Sequence, residues 1–242
     1  MELNADRYAR DSWLSAFDPR VKLLCFLSLA VVIAFLTGTD VLLLALAFVL
    51  SLAAVSRVPL RHLGRGYAMA FPFILVASLT MLFTSGSGNA LAMGLRISSS
   101  ALLLLVLVSS TPFMDVLWAL RWFKLPSVLS DMIMFTYRFI FVILDESGRM
   151  RLARASRGFK GGRSLFDREA FKVLSNTIGM MFLRSYRRAD RVYLALLSRG
   201  YDGKVRTLSG FHVRARDAGM GLTFVIIGAL ALTQQMGWYV WW

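Results

Sequence analysis

Ala153-Arg154-Ala155-Ser156-Arg157-Gly158-Phe159 and Ala195-Leu196-Leu197-Ser198-Arg199-Gly200-Tyr201 share the pattern A-x-x-S-R-G-aromatic, and each closes a long segment of helical periodicity. Glycine suits the position just after a helix C-terminus, and arginine in the last turn complements the helix dipole. One copy alone therefore predicts no more than a helix end. A helix end needs only the glycine, however, so the repeated alanine, serine, arginine and aromatic residue indicate a second use.

The repeated residues form a plausible docking unit at each helix end. Alanine and serine are small enough for close approach, arginine offers a fork of donors to carboxylates or carbonyls, and the aromatic residue can fill a pocket as an anchor. Both readings hold together: the motifs end helices and also contact a two-lobed partner. The candidate site residues are Ala153, Ser156, Arg157, Gly158, Ala195, Ser198, Arg199 and Gly200.

The composition indicates a membrane protein. The 242 residues are 57% hydrophobic, which exceeds the usual share in a soluble domain, and the apolar residues occur in long runs. We predict an all-α polytopic protein whose five transmembrane helices cover residues 21–37, 41–56, 67–84, 91–110 and 218–233. Pro72 is expected to kink the third helix, and Arg96 to extend from the fourth toward the membrane interface.

The distribution of basic residues predicts the topology. Of the 28 Lys and Arg residues, 20 lie between Pro112 and Arg216, four lie before or at the very start of the first span and three follow the second. Since Lys and Arg favour the cytoplasmic side, the N-terminus and the large basic region are expected inside and the C-terminus outside. The predicted regions are 1–20 (cytoplasmic), 21–111 (four spans), 112–216 (cytoplasmic helices with both motifs) and 217–242 (last span and external tail).

Three helices are expected within the basic region. Residues 113–123 form a short amphipathic helix, Pro126 opens a long helix toward Arg157, and a second long helix begins near Asp167. Each long helix starts with an apolar face and ends with arginines. These faces are either core and lipid contacts or an adaptable surface for a second membrane protein. Asp131 and Arg138 share one face, and a structural role is expected of them.

The sequence argues against several other classes. A net charge of +14 would suggest nucleic acid in a soluble protein, but here it reflects membrane topology. Cys25 is the one cysteine, and the two histidines lie far apart in basic loops, so neither a disulfide nor a metal cluster is expected. The glycine-rich stretch 158–164 does not fit the phosphate-loop pattern. No set of residues suggests catalysis.

The twin Arg-Gly motifs, behind four spans and ahead of a last one, resemble the transmembrane coupling (T) component of energy-coupling factor (ECF) transporters. The opening Asp6-Arg7-Tyr8 and Asp18-Pro19-Arg20-Val21-Lys22-Leu23-Leu24 look like its cobalt/nickel, CbiQ-like branch, and Leu95-Arg96-Ile97 and Leu120-Arg121 also fit. The resemblance covers nearly the whole chain. Many relatives have alanine where Ser156 and Ser198 stand, which exchanges one small residue for another.

The resemblance implies a subunit of the bacterial inner membrane with no catalytic, cofactor or metal site of its own. Two cytoplasmic ATP-binding-cassette ATPases, which bind the ATP, would engage Arg157 and Arg199 on two coupling helices. A separate substrate-capture (S) membrane protein would dock on the apolar face, and no nucleic acid would bind. Cobalt or nickel would be the transported ion.

Two rival hypotheses remain from the sequence. A stand-alone secondary transporter or channel usually places ionisable residues or broken helices at mid-membrane, and these spans show little of either. A membrane-bound enzyme acting on lipid would need an acid, base or metal set, which the sequence does not suggest.

Overall fold

The computed structural model describes Leu14 and residues 17–56, 58–159, 168–203 and 215–239. All regular structure in these ranges is α-helical, except that Leu14 has 3₁₀ geometry. Eight α-helices occur there, and we number them in chain order: α1 Pro19–Phe35, α2 Thr39–Val55, α3 Leu60–Ser85, α4 Ser87–Ser110, α5 Phe113–Trp122, α6 Ser127–Ser156, α7 Arg168–Leu197 and α8 Ala215–Tyr239. The predicted all-α class is therefore confirmed.

The helices form two compact units. One contains α1 to α5 and α8, and the other contains α6 and α7. The short helix α5, which the sequence groups with the motif-bearing region, packs against α1 in the first unit.

Helix α1 is the centre of the first unit, where it packs against α4, α5 and α8. It begins with Pro19 in the first turn and with the Asp18 carboxylate accepting from the Arg20 amide at 3.0 Å. Phe26 is fully buried and meets Phe224 of α8 at a ring-centroid distance of 5.1 Å. The charged start of α1 and its apolar middle therefore belong to the same core.

Two polar contacts tie the start of α1 to distant parts of the chain. The Nζ of Lys22, whose side chain is 1% exposed, donates to the carbonyl oxygen of Ser110 at 2.8 Å. The backbone amide of Asp18 donates to Oδ1 of Asp217 at 2.8 Å. A buried polar group is costly unless it is hydrogen-bonded, so these contacts fix the register of α1 against α4 and α8.

The other end of α1 is capped by side chains from two neighbouring helices. Arg96 of α4 donates from Nη2 to the carbonyl oxygen of Leu36 at 2.6 Å, and Gln235 of α8 donates from Nε2 to that of Phe35 at 3.1 Å. The last carbonyls of a helix lack partners within the helix, so both contacts satisfy groups that the apolar surroundings would leave without water. Arg96 thus has a defined acceptor on α1.

Two predicted loops are shorter than expected. Arg61, His62 and Arg65 were expected in a basic loop, but they lie within α3. This helix starts directly after Pro59, whose carbonyl accepts a hydrogen bond from the His62 amide at 2.8 Å. The expected connection over residues 85–89 is reduced to Gly86, whose φ of 90° is available to glycine at little cost. Helix α3 also continues through Pro72.

Among the residues that the structure describes, four helices are long and apolar enough to cross a membrane: Arg61–Ser85, Ser87–Ser110, Ser127–Ser156 and Arg216–Gln235. The predicted spans at α1 and α2 are helices of 17 residues each, about 25 Å long and near the lower limit for crossing the hydrocarbon core. Helix α6 meets the length and composition requirement although the sequence places it in the cytoplasmic region. The chain is a multi-pass membrane protein.

Candidate functional site: the paired helix ends

The first motif ends α6 with a defined pattern of backbone hydrogen bonds. The amide of Phe159 donates to the carbonyl of Arg154 at 3.1 Å, and the amide of Gly158 donates to that of Ala155 at 3.0 Å. Gly158 has a φ of 85°, in the left-handed region. This pair of bonds around a left-handed glycine is the Schellman C-cap, in which two orphan carbonyls find donors.

The second motif ends α7 in the same way. The amide of Tyr201 donates to the carbonyl of Leu196 and the amide of Gly200 to that of Leu197, both at 3.0 Å, and Gly200 has a φ of 75°. In both motifs the serine hydroxyl donates to the carbonyl of the motif alanine, Ser156 to Ala153 and Ser198 to Ala195, each at 3.0 Å. The repeated sequence therefore folds into a repeated structure.

The motif side chains face outward at both helix ends. All eight candidate residues are exposed: Ala153, Ser156, Arg157, Gly158, Ala195, Ser198, Arg199 and Gly200. Because the alanine, serine and glycine residues are small, a partner can approach the helix end closely. The exposed guanidinium beside them can form forked hydrogen bonds to a carboxylate or carbonyl of that partner. The geometry suits a protein contact rather than a chemical step.

The aromatic residues contact their own chain. Phe159 is half-buried, and the guanidinium carbon of Arg154 lies 5.9 Å from its ring centroid. Tyr201 is also half-buried, and its hydroxyl donates to Oδ2 of Asp131 at 3.1 Å. Burial, followed by this hydrogen bond and the nearby carboxylate charge, raises the pKa of the Tyr201 phenol. Both aromatic residues therefore help to hold the motifs in place.

Contacts between α6 and α7 show that the helices run antiparallel. Asp131 meets Tyr201, Glu146 forms an ion pair with Arg184, and Nη1 of Arg154 donates to the Thr177 hydroxyl at 3.2 Å. Later positions on α6 thus pair with earlier positions on α7. Because α7 ends where α6 begins, the two motifs lie at opposite ends of the pair, about 38 Å apart at 1.5 Å of rise per residue.

Two cavities lie between α6 and α7. One of about 280 Å³ is mainly apolar and includes Phe139, Val142 and Phe182 in its walls. The other, of about 380 Å³, adjoins the second motif, and Arg138, Arg188, Ala195 and Arg199 are among its lining residues. The second motif therefore borders a space in which three guanidinium-bearing side chains meet apolar walls, a combination suited to an acidic protein surface.

Several residues of this site gave no signal in the sequence. Asp131, of which a structural role is expected, accepts a hydrogen bond from Tyr201, which lies 70 residues away. Thr177 and Glu146 likewise act through partners on the other helix. Asp167, the expected first residue of α7, lies outside the described residues, and α7 begins at Arg168. Across the described ranges, no three His, Cys, Asp or Glu residues are grouped as a metal site.

Comparison with protein families gives one match that spans most of the chain. Residues 10–209, which contain both motifs, match the CbiQ family, described as "Cobalt transport protein".

Individual proteins are also similar to this chain. The chain is 29% identical over 194 residues to the cobalt transport protein CbiQ of Rhodobacter capsulatus, covering 76% of this chain and 77% of that protein. It is 30% identical over 222 residues to the energy-coupling factor transporter transmembrane protein EcfT of Limosilactobacillus fermentum, covering 79% and 81%. An uncharacterized protein of Methanocaldococcus jannaschii is 33% identical over 105 residues, which is 43% of this chain and 38% of that protein.

Proposed function

This chain belongs to the CbiQ family of cobalt transport proteins and is a transmembrane (T) component of the energy-coupling factor type, and from that premise we propose that it couples two ATP-binding-cassette ATPase subunits to a separate substrate-capture membrane protein. In this proposal the partner subunits bind and hydrolyse ATP. The chain itself binds no cofactor or metal and carries out no catalytic step.

The observation that carries the proposal is the repeated helix end. Two Schellman-capped ends present the same exposed arginine, Arg157 on α6 and Arg199 on α7, at opposite ends of an antiparallel pair. An antiparallel pair that carries one motif on each helix has approximate two-fold symmetry. A partner with two equivalent lobes can therefore meet both motifs in the same way, which a dimer of ATPase subunits satisfies.

The apolar face of α7 supports a contact with a second membrane protein. Phe171, Ile178 and Phe182 are 74%, 67% and 67% exposed, and their spacing places them along one side of the helix. Exposed apolar rows of this kind mark protein or membrane contacts. We assign this face to the substrate-capture component.

The names of the relatives support a proposal for the transported ion. The family is described by cobalt transport, and the Rhodobacter capsulatus relative carries the same name. Cobalt is therefore the proposed substrate, with nickel, which the resemblance of the sequence implies, as the alternative. Uptake of radioactive cobalt and nickel by cells that express the complete complex tests this assignment, and uptake of neither ion would contradict it.

The proposed orientation rests on the basic residues. Twenty of the 28 Lys and Arg residues lie between Pro112 and Arg216, so this region, with both motifs, faces the cytoplasm of a bacterial cell and the C-terminus faces outward. A phosphatase that is active only outside the cytoplasm, fused to the C-terminus, should be active. An inactive, stably expressed fusion would contradict the orientation.

The decisive experiment is capture of the tagged chain from its native membrane in mild detergent. Wild type should bring down ATPase subunits and a small multi-pass membrane protein, whereas the Arg157→Glu, Arg199→Glu double variant should retain only the latter. The matched control is Arg151→Glu, Arg191→Glu, which makes the same charge change at two exposed arginines outside the motifs.

Either of two results would overturn the proposal. One is equal ATPase capture by wild type and the motif variant, since the motifs would then be ordinary helix ends. The other is ion transport by the purified chain alone in liposomes without an ATPase, which would favour a secondary transporter.

A further inference from the structure

The two motifs are alike on the outside but are held by different internal contacts. Aligning the motifs pairs Tyr201 with Phe159 and Asp131 with Val173. The second motif has a hydrogen bond from the Tyr201 hydroxyl to the Asp131 carboxylate at 3.1 Å. Phenylalanine and valine side chains cannot form such a bond, so the repeat departs from its own symmetry at this point.

The first motif, in turn, has a hydrogen bond that has no equivalent at the second motif. There Arg154 donates to the Thr177 hydroxyl at 3.2 Å, and the corresponding positions at the second motif are Leu196 and Phe135. Leu196 and Phe135 both line the cavity beside the second motif. Each helix end thus has one polar cross-helix bond, made by different residues at different positions.

Of the three polar contacts between α6 and α7, the bond at the second motif is the one that involves the apolar first half of α6. Asp131 lies in the first turns of α6, is 3% exposed, and is followed by an apolar face that includes Phe135 and Phe139. Tyr201 directly follows Arg199-Gly200, the exposed part of the motif. A carboxylate acceptor makes this bond stronger than one between neutral groups, and the Asp131 end of the bond is buried.

We propose that Tyr201 and Asp131 are positioning residues that transmit movement of the second motif to the apolar start of α6, while the first motif acts through Arg154 and Thr177. This inference rests on the proposed function, because the ATPase subunits supply the movement. It assigns unequal roles to two motifs with the same exposed sequence: displacement at Arg199 reaches residues 127–143 directly, and displacement at Arg157 reaches the start of α7.

Hydrogen–deuterium exchange in the purified complete complex tests the proposal. Exchange is measured with and without ATP in two segments, residues 190–203 at the second motif and residues 127–143 at the start of α6. Tyr201→Phe keeps the aromatic ring and the exposed Arg199, and the response of 127–143 is compared with that of 190–203 in the same sample. The response of 127–143 should fall about five-fold, the factor expected from loss of one hydrogen bond of ordinary strength.

Two further variants separate transmission from folding. Asp131→Val with Tyr201→Phe gives the second motif the apolar pair found naturally at the first, so thermal stability should recover while the response of 127–143 stays low. Thr177→Val removes the hydroxyl that accepts from Arg154 at the first motif and should leave the response of 127–143 unchanged.

The possible failures are distinguishable. Absence of ATPase capture by the wild-type chain would overturn the proposed function and this inference with it. Normal wild-type capture, combined with a wild-type response of 127–143 in Tyr201→Phe or in the double variant, would overturn the inference alone.

Discussion

Lys22 and Ser110 lie 88 positions apart in the chain, and the Nζ of Lys22 donates to the Ser110 carbonyl at 2.8 Å. Lys22 stands in the first turn of α1 and Ser110 is the last residue of α4. The same Nζ donates to the carbonyl of Leu14 at 3.3 Å. The last carbonyls of a helix lack donors within the helix, so one lysine both caps α4 and contacts Leu14.

Lys22→Met should destabilise the first unit by about 2 kcal/mol, because methionine keeps the packing but leaves two buried carbonyls without their donor. The measurement is thermal unfolding of the detergent-purified chain. Lys172→Met serves as the control, since Lys172 is exposed on α7. Equal melting temperatures for the two variants would mean that the Lys22 contacts add nothing to stability.

Glycine-to-alanine changes should have opposite signs at different positions of the same helix. Gly158 (φ 85°) and Gly200 (φ 75°) have open space where a Cβ would stand, so alanine costs only the left-handed backbone, about 1 kcal/mol. Gly148, inside α6, also has open space, and its backbone is helical. Gly148→Ala should stabilise by about 0.5–1 kcal/mol.

Thermal unfolding of the three alanine variants tests this prediction. Asparagine at Gly158 or Gly200 should cost less than alanine, because asparagine tolerates the left-handed region better. Stabilisation by alanine at either motif would show that the Schellman geometry does not persist in solution.

Asp217→Ala should destabilise by about 1–3 kcal/mol, because the buried Asp18 amide then loses its acceptor on α8. Asp217→Asn keeps an oxygen at the same place and should lose less. Asp40→Ala, at an exposed aspartate of α2, controls for removal of a carboxylate. Thermal unfolding again decides, and an equal loss in the Ala and Asn variants would indicate that the negative charge matters more than the acceptor.

The Tyr201 phenol should titrate at higher pH than an ordinary tyrosine. Burial and the hydrogen bond to Asp131 raise its pKa, so the folded state retains the proton over a range where the unfolded state has lost it. The stability from this contact is therefore complete below the ordinary tyrosine pKa and declines as pH rises through the raised value.

The near-ultraviolet absorbance of tyrosinate measures this titration, taken as the difference between wild type and Tyr201→Phe. In Asp131→Asn the Tyr201 pKa should move back toward the ordinary value. An unchanged Tyr201 titration in Asp131→Asn would show that the carboxylate does not contribute to the shift.

Local patterns predicted much of the fold. Pro126, the apolar periodicity and the two Ser-Arg-Gly ends placed α6 and α7 closely, and residues 113–123 were correctly predicted as a short helix. Helix starts, faces and ends depend on neighbouring residues, which the sequence displays directly. The boundaries of α3 and α4 were wrong because charge and a Gly/Ser run suggested longer loops, whereas α3 begins directly after Pro59 and Gly86 alone separates α3 from α4.

The contacts that hold the motifs could not be predicted. Tyr201 and Asp131 are 70 residues apart, and neither the motif nor the helix periodicity indicates which residues of α6 face α7. Tyr201 was instead expected to reach into a partner. Antiparallel pairing is a property of the two helices together, and it turns a repeated sequence into two distant contact points.

The antiparallel arrangement also has a mechanical consequence. Arg157 belongs to α6 and Arg199 to α7, at opposite ends of the pair. If a single helix carried both arginines, the stiffness of that helix would resist any force that draws them together. With one arginine on each helix, the same force becomes shear along the interface, and it is opposed at three levels by Arg154 with Thr177, Glu146 with Arg184, and Asp131 with Tyr201.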